Sequence, residues 1–344
     1  MEVSPLVSLV RCLDCGGELR IDDGSGAEVE EASRLRCTQC GRSYALTGGT
    51  ARMLNGATPE ATATREAEVK QRTADSFAYE WARFGARRPE WRKNFLDYMQ
   101  PHAAESFARR LLLDIGTGSG RHSAEAAALG ARVVAVDLGD SIDVARGNLP
   151  DDALTVQADA EHLPFDPGTF DFVMSIGVLH HLPDPERALR SVARFAAPGG
   201  FVHVYLYWLP EIAWQRAVLR LVTAARRVTV RLPHPVLHAL CFPLASLLWI
   251  GIVRPYRFAR AQPCLARLAA CLPLKTYADY PFGVLLNDQF DRFSAPLEQR
   301  YTRAQVHGML TRLGLEDIKV LPNHGWLADG RVPATGLPVR QGCS

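Results

Sequence analysis

The sequence predicts an α/β fold: a mostly parallel sheet with helices on both faces, preceded by a small metal-bound ribbon. Three observations point there. Residues 74–204 alternate short apolar runs with amphipathic stretches, the pattern of strands joined by crossover helices. The run Leu111-Leu112-Leu113-Asp114-Ile115 leads into Gly116-Thr117-Gly118-Ser119-Gly120, a glycine turn that opens a helix. Near the N-terminus stand two cysteine pairs, Cys12-x-x-Cys15 and Cys37-x-x-Cys40.

With 344 residues, 47% of them apolar, the chain can bury a sizeable core and global disorder is excluded. A formal net charge of +2 gives no overall attraction for nucleic acid, so any basic site must be local. The segment MEVSPLVSLVRCL lacks a basic start and a long apolar run, which predicts no secretory signal and a reducing, cytoplasmic setting.

In chain order, residues 1–56 read as a zinc-ribbon-like domain. Zinc prefers four soft ligands in a tetrahedron, and a CxxC turn brings two thiolates to one metal, so Cys12, Cys15, Cys37 and Cys40 are the candidate ligands. Gly16 and Gly41 follow the second cysteine of each pair, where a left-handed backbone is needed. Four sulfurs leave no open position, so such a zinc is structural; a metal-free dithiol pair is the alternative. Residues 11–54 carry seven acids and six bases, which is no footprint for RNA. Residues 57–73 read as a polar linker or exposed helix. Residues 74–208 form the core, 209–300 a helical insertion, and 301–344 a last helix and strands completing the sheet.

Core strands are expected at 110–115, 132–137, 154–157, 170–176 and 200–207, with helices near 121–129, 141–148 and 184–196. Asp184 can cap the last helix with Pro185 in its first turn, and Pro198-Gly199-Gly200 ends it. A hairpin is expected from 318–321 and 326–332.

The glycines fall at 116, 118 and 120, and Arg121 stands where a dinucleotide-binding turn needs its third glycine. Asp137 ends the second strand (VVAVD), Asp159 follows the third (VQADAEHLPF), the fourth runs on as FDFVMSIGVLHHLPDP, and APGG precedes the fifth. Over residues 105–208 these four motifs in register resemble the class I S-adenosylmethionine-dependent methyltransferases, specifically the type 11 methyltransferase domain. The resemblance implies a Rossmann-like seven-stranded sheet and S-adenosyl-L-methionine as cofactor. It implies that Asp114, Gly116, Gly118 and Gly120 lie around the methionine portion, that Asp137 with Leu138 meets the ribose, that Asp159 with Ala160 meets adenine, and that Ile176 and Gly177 lie beside the sulfonium. A helix ahead of the sheet often lids the cofactor in this family, and SFAYEWARF offers Phe77, Tyr79 and Trp81, although core packing accounts for each equally well. The cysteine segment resembles zinc ribbons found ahead of methyltransferase domains, some of which act on ribosomal RNA.

Methyl transfer to oxygen or carbon calls for a general base. His180 and His181, after the fourth strand, are candidates beside a plain packing role, while His203 reads as a satisfied core histidine. Asp291, in the stretch Asn287–Phe293, is a candidate for orienting the acceptor, or a surface-loop acid. The insert holds ten basic residues over 211–275 and the apolar run 236–253, eighteen residues long. A cap helix lining an acceptor pocket, an interfacial element meeting anionic lipid, and a spanning helix remain open, in that order. The arginines 220, 226, 227 and 231 would suit a phosphate-bearing acceptor if they share a face. The expected function is methylation of a small or lipid-like acceptor by a cytoplasmic biosynthetic enzyme, with peripheral membrane contact through the insert left open. The alternatives are an RNA methyltransferase gripping substrate through the ribbon, and a non-catalytic subunit that keeps the fold for partner contact.

Overall fold

The structure is a computed structural model that describes residues 4–22, 33–54, 65–262 and 274–337. Residues 57–64 of the segment 57–73 expected as linker or exposed helix, residues 263–273 of the insert and the tail from 338 lie outside the described residues. The chain divides into two compact units: Met1–Leu209 with Leu297–Ser344, and Pro210–Pro296.

The first unit is built on one sheet. Strands β1 (Leu19–Asp22), β2 (Arg34–Cys37), β3 (Ser43–Thr47) and β4 (Thr50–Arg52) come from the cysteine-bearing segment. Then follow β5 (Leu111–Ile115), β6 (Arg132–Asp137), β7 (Leu154–Gln157), β8 (Phe170–Ile176), β9 (Ala196–Leu206), β10 (Glu316–Pro322) and β11 (Trp326–Arg331). Their order is β1-β2-β3-β4-β7-β6-β5-β8-β9-β11-β10. The last seven are the expected sheet, parallel from β7 to β9 and closed by the antiparallel β10–β11 pair.

Parallel strands covered by helices on both faces read as unbroken apolar runs because successive side chains enter opposite cores. Leu112, Val133, Ala135, Phe172 and Met174 pack on one face with helices α2 (Trp91–Tyr98), α3 (Arg121–Ala128) and α4 (Ser141–Asn148). Leu113, Val134, Val136 and Val173 pack on the other with α5 (Pro185–Ala193) and the helix Arg303–Arg312. Asp184 caps α5 by accepting from the Arg187 amide, with Pro185 in the first turn. β9 begins four residues earlier than expected: Ala196 already pairs with Phe170, and Pro198-Gly199-Gly200 bulges out before pairing resumes at Phe201.

The cysteine-bearing segment joins the core sheet, since β4 pairs in parallel with β7. Of the polar linker or exposed helix expected over 57–73, the described part is helix: α1 (Arg65–Phe84), twenty residues long, starts there and runs through SFAYEWARF.

The second unit holds α6 (Ala213–Thr229), α7 (His234–Leu248), one wider helical turn at Trp249–Val253, α8 (Arg254–Arg260) and α9 (Phe282–Ser294). The helix Arg303–Arg312, back in the first unit, is α10, opened by a capping box between Thr302 and Gln305.

One buried polar knot ties the sheet to α2. Asp329 of β11 sits opposite His203 of β9. Its Oδ1 lies 2.6 Å from His102 Nε2 and 3.1 Å from His203 Nδ1, and His203 Nε2 donates to the Tyr98 carbonyl at 2.8 Å. Burial opposes the charge on Asp329, but the two histidines outweigh it and bring its pKa from 3.8 to about 2. A carboxyl whose folded pKa is depressed stabilises the fold above its unfolded pKa and loses that contribution as pH falls through the folded value. Asp329→Asn should therefore cost on the order of 2 kcal/mol near neutrality. The gap from wild type, followed by urea unfolding, should narrow between about pH 4 and pH 2; a gap independent of pH in that window would refute the ion-pair account.

Candidate functional site

The turn after β5 is held by its own backbone. The Gly116 and Thr117 amides both donate to the Val136 carbonyl, at 2.8 and 2.9 Å. Gly116, Gly118 and Gly120 take φ of +73°, +57° and +75°, a region costly for residues with a Cβ. Space forbids a side chain as well: a Cβ on Gly118 would lie 2.5 Å from Trp81 Nε1, and one on Gly116 would run into Val178. Asp114 Oδ2 accepts from Thr117 Oγ1 at 2.8 Å and Ser123 Oγ at 2.7 Å, tying strand to helix. Burial pushes Asp114 up to about 6.

Asp137, at the end of β6, accepts from the Gly118 amide at 2.9 Å and the Gly139 amide at 3.0 Å. Burial raises its pKa and the amides oppose the rise. Asp159, beyond β7, receives Lys70 Nζ at 2.9 and 3.2 Å and the Glu161 amide at 3.0 Å. Burial disfavours its charge, yet the amide and Lys70 prevail and hold it below the usual carboxylate range. Lys70 also pairs with Glu161, which accepts from Arg187 Nε, and Arg187 reaches back to Glu66 of α1.

Asp114, Asp137, Asp159 and Lys70 border one cleft of about 900 Å³, the space open to solvent included. Its floor is Asp114–Gly118, Asp137, Leu138, Asp159, Ala160 and Ile176–Val178. Its wall is one face of α1: Lys70, Thr73, Ala74, Phe77 and Trp81, at helical spacing. Gly120 lies outside the lining and instead lets α3 approach α4, since a Cβ there would sit 3.0 Å from Ala145 Cβ. Of the three expected lid aromatics, Phe77 and Trp81 line the cleft; Tyr79 instead carries the Arg83 guanidinium on its ring, 5.3 Å from the centroid.

The two histidines part ways. His181 lines the cleft; its Nδ1 donates to the Leu297 carbonyl at 2.7 Å, while Nε2 meets no hydrogen-bond partner. Phe77 packs edge-on against its ring at 5.3 Å. His180 is wholly enclosed, stacked on Tyr207 at 3.9 Å, with burial keeping its pKa well below the ordinary value. It packs in the interior and is not among the residues that line the cleft. Asp291 belongs to helix α9 of the second unit, where a loop was expected, and is not among the cleft residues.

Sequence reading missed Lys70, Thr73 and Ala74, along with Arg121 and His122 at the start of α3. A Glu66–Lys70 pair at i,i+4 was the available helix signal in the presumed linker.

Away from the cleft, Cys12 Sγ lies 3.6 Å from Cys40 Sγ and Cys15 Sγ 3.4 Å from Cys37 Sγ. All four sulfurs fall within 4.8 Å of one another. Tetrahedral zinc with about 2.3 Å bonds needs sulfurs about 3.8 Å apart. Gly16 and Gly41 hold φ of +73° and +75°, and each amide donates back to the first cysteine of its pair.

Comparison with known proteins agrees with this geometry. Residues 113–204 match the family model described as a methyltransferase domain. A ubiquinone biosynthesis O-methyltransferase of Sodalis glossinidius is 32% identical over 138 residues, covering 37% of this chain and 55% of that protein. An uncharacterized methyltransferase of Mycobacterium bovis is 35% identical over 114 residues, covering 33% and 44%. The chain thus spans about half the length of the curated relatives it matches. Among solved structures, an O-methyltransferase family protein from Burkholderia thailandensis aligns over 76% of this chain and 60% of its own, at 14% identity and a TM-score of 0.42. The chain carries a class I S-adenosylmethionine-dependent methyltransferase domain.

Proposed function

We propose that this protein moves the methyl group of S-adenosylmethionine to a hydroxyl of a small or lipid-like acceptor, with His181 taking the proton. The observation that carries this reading is the orientation of His181. A carbonyl can only accept, so the Leu297 contact keeps the proton on Nδ1 and leaves the lone pair on Nε2, a buried nitrogen without a hydrogen-bond partner on a residue that lines the cleft. The O-methyltransferase name of the Sodalis relative supports an oxygen acceptor.

The cleft suits the cofactor. Its glycine floor would be filled by any Cβ, and its carboxylates stand at three separate points. In this reading Asp137, aided by Leu138, accepts from the ribose hydroxyls; Asp159 and Ala160 meet adenine; Asp114 and Gly116 face the methionine end; Ile176 lies beside the sulfonium. When bound, the cofactor supplies an electrophilic methyl on a positive sulfur. The chain's own work is to align the acceptor oxygen behind that methyl, to exclude water with Phe77 and Trp81, and to remove the proton.

The four cysteines are proposed to hold structural zinc, Cys12, Cys15, Cys37 and Cys40 being its complete ligand set. β4 then transmits that anchor to the cofactor cleft: it pairs with β7, and Arg52 donates to Gln157 at 3.1 Å, two residues ahead of Asp159.

Asp137→Ala should weaken S-adenosylhomocysteine binding at least about tenfold in calorimetry, about 1.4 kcal/mol or more; unchanged affinity would remove the proposed site. His181→Gln should leave that affinity intact and lower transfer to a hydroxyl acceptor by about 100-fold or more, scored with methyl-labelled cofactor and extracts containing small molecules and lipids; full activity would dismiss His181 as the base. Protein purified without chelator should hold one zinc per chain. Stripping it should lower both the melting temperature and S-adenosylhomocysteine affinity; loss of the metal without any change in cofactor binding would break the proposed link through β4.

A further inference from the structure

We propose that the unit Pro210–Pro296 docks on an anionic lipid bilayer, lying in its interface. The inference stands apart from the identity of the acceptor.

The helical stretch His234–Arg260 runs 27 residues, and of its most apolar part only 22% is buried. A core helix of a water-soluble fold hides such a sequence; this one hides a single stripe. Leu237, Cys241 and Ala245 recur at i, i+4 and i+8 and are buried within the unit, where α7 packs on α9 through His234 and His238 against Phe290. A second stripe, Val236, Leu240, Leu244, Leu247 and Ile250, is exposed, with Leu247 71% exposed. Helix α6 repeats the arrangement. Arg226 Nε donates to the Arg292 carbonyl and Thr229 Oγ1 to the Phe293 carbonyl, pinning α6 to α9. Trp214, Val218, Leu221 and Val228, spaced i, i+4, i+7 and i+14, remain exposed. Scattered apolar residues on a surface mean nothing, but aligned stripes on two helices that both pack on α9 mark a contact surface.

Charge selects the occupant. Residues 211–262 contain eight arginines and a single acid, Glu211. Arg220, Arg227, Arg231 and Arg254 are exposed. A second copy would bring the same excess of positive charge against itself, whereas a bilayer of anionic phospholipid supplies the complementary charge beside hydrocarbon. Long arginine stems can lie along apolar surface with the guanidinium at headgroup level, and Trp214 suits the same depth. The composition excludes a spanning arrangement for the unit: α9 packs along α7 and would carry Asp288, Asp291 and Arg292 into hydrocarbon. An interfacial position wets α9 and buries only the outward stripes, to a depth of about 5–10 Å.

The full chain is tested by flotation with vesicles of phosphatidylcholine alone, and of phosphatidylcholine with phosphatidylglycerol. It should float with the anionic vesicles, and the bound fraction should fall as salt is raised. Leu240→Glu with Leu247→Glu, and separately Arg220→Glu with Arg227→Glu, should each reduce binding at least about tenfold. Both double variants should keep wild-type S-adenosylhomocysteine affinity and far-ultraviolet circular dichroism, which separates lost docking from lost folding or a failed cofactor site. Four results overturn the proposal: no flotation with anionic vesicles, binding that the folded double variants retain, a solution dimer that Leu240→Glu with Leu247→Glu dissociates, or bound protein that only detergent releases.

Discussion

The cleft depends on how the turn after β5 is fastened to the end of β6. Three backbone amides in succession are committed there: Gly116 and Thr117 to the Val136 carbonyl, Gly118 to the Asp137 carboxylate. A loop of glycines loses much conformational entropy on ordering. These bonds, with the two hydroxyls on Asp114, offset that loss and fix the turn before any ligand arrives. The glycines must then be bare, because Trp81 and Val178 occupy the space a Cβ would need. Helix α1 is thus positioned partly by the absence of side chains on the turn beneath it.

The cysteine-bearing segment takes its meaning from where it joins the sheet. Without β4, strand β7 would be an edge with unpaired amides and carbonyls. Instead β4 pairs along it, and Thr50 and Thr155 share a hydrogen bond of 2.8 Å in the core. Leu6, Val10, Leu35, Tyr44 and Met53 join the same apolar cluster as Val134, Val136 and Val156. Four cysteines that would look like a self-contained module therefore belong to the far end of the sheet that carries the cleft. That placement favours a buttress over an independent grip, in line with the segment's lack of positive charge.

Legibility followed burial. Strands β6, β7 and β8 begin and end at the residues the apolar runs delimit, because both faces of each are covered and nothing but the run's length sets the boundary. Asp137 and Asp159 were visible because they stand where such runs stop. Helix α1 was legible only in its aromatic half. Its first turns are charged, and the partners that hold them, Asp159, Glu161 and Arg187, lie about ninety to 120 residues away in sequence. No local pattern carries that information, which is why Lys70 was missed and a linker stayed open beside an exposed helix. The stretch Asn287–Phe293 failed for a related reason: its polar residues suggested a loop, but Leu285, Leu286, Gln289 and Phe290 form the buried face of a helix. His180 and His181 are neighbours with the same side chain, and only tertiary packing assigns one to the interior and the other to the cleft.

Two carboxyls of the cleft are held in opposed electrostatic states, and the difference fits two tasks. Asp159 has a cation and an amide against it, so it is an anion before the cofactor comes and can serve as a fixed acceptor. Asp114 has only hydroxyl donors; burial raises its pKa to about 6, so its charge is poorly compensated in the free protein. A positively charged group arriving beside it supplies the missing partner and favours the ionised form. S-adenosylmethionine carries such charge at its methionine end, whereas adenine and ribose offer only neutral hydrogen-bond donors. In the proposed assignment, the poorly compensated carboxyl, Asp114, stands at the methionine end and the prepaired anion, Asp159, at the adenine end.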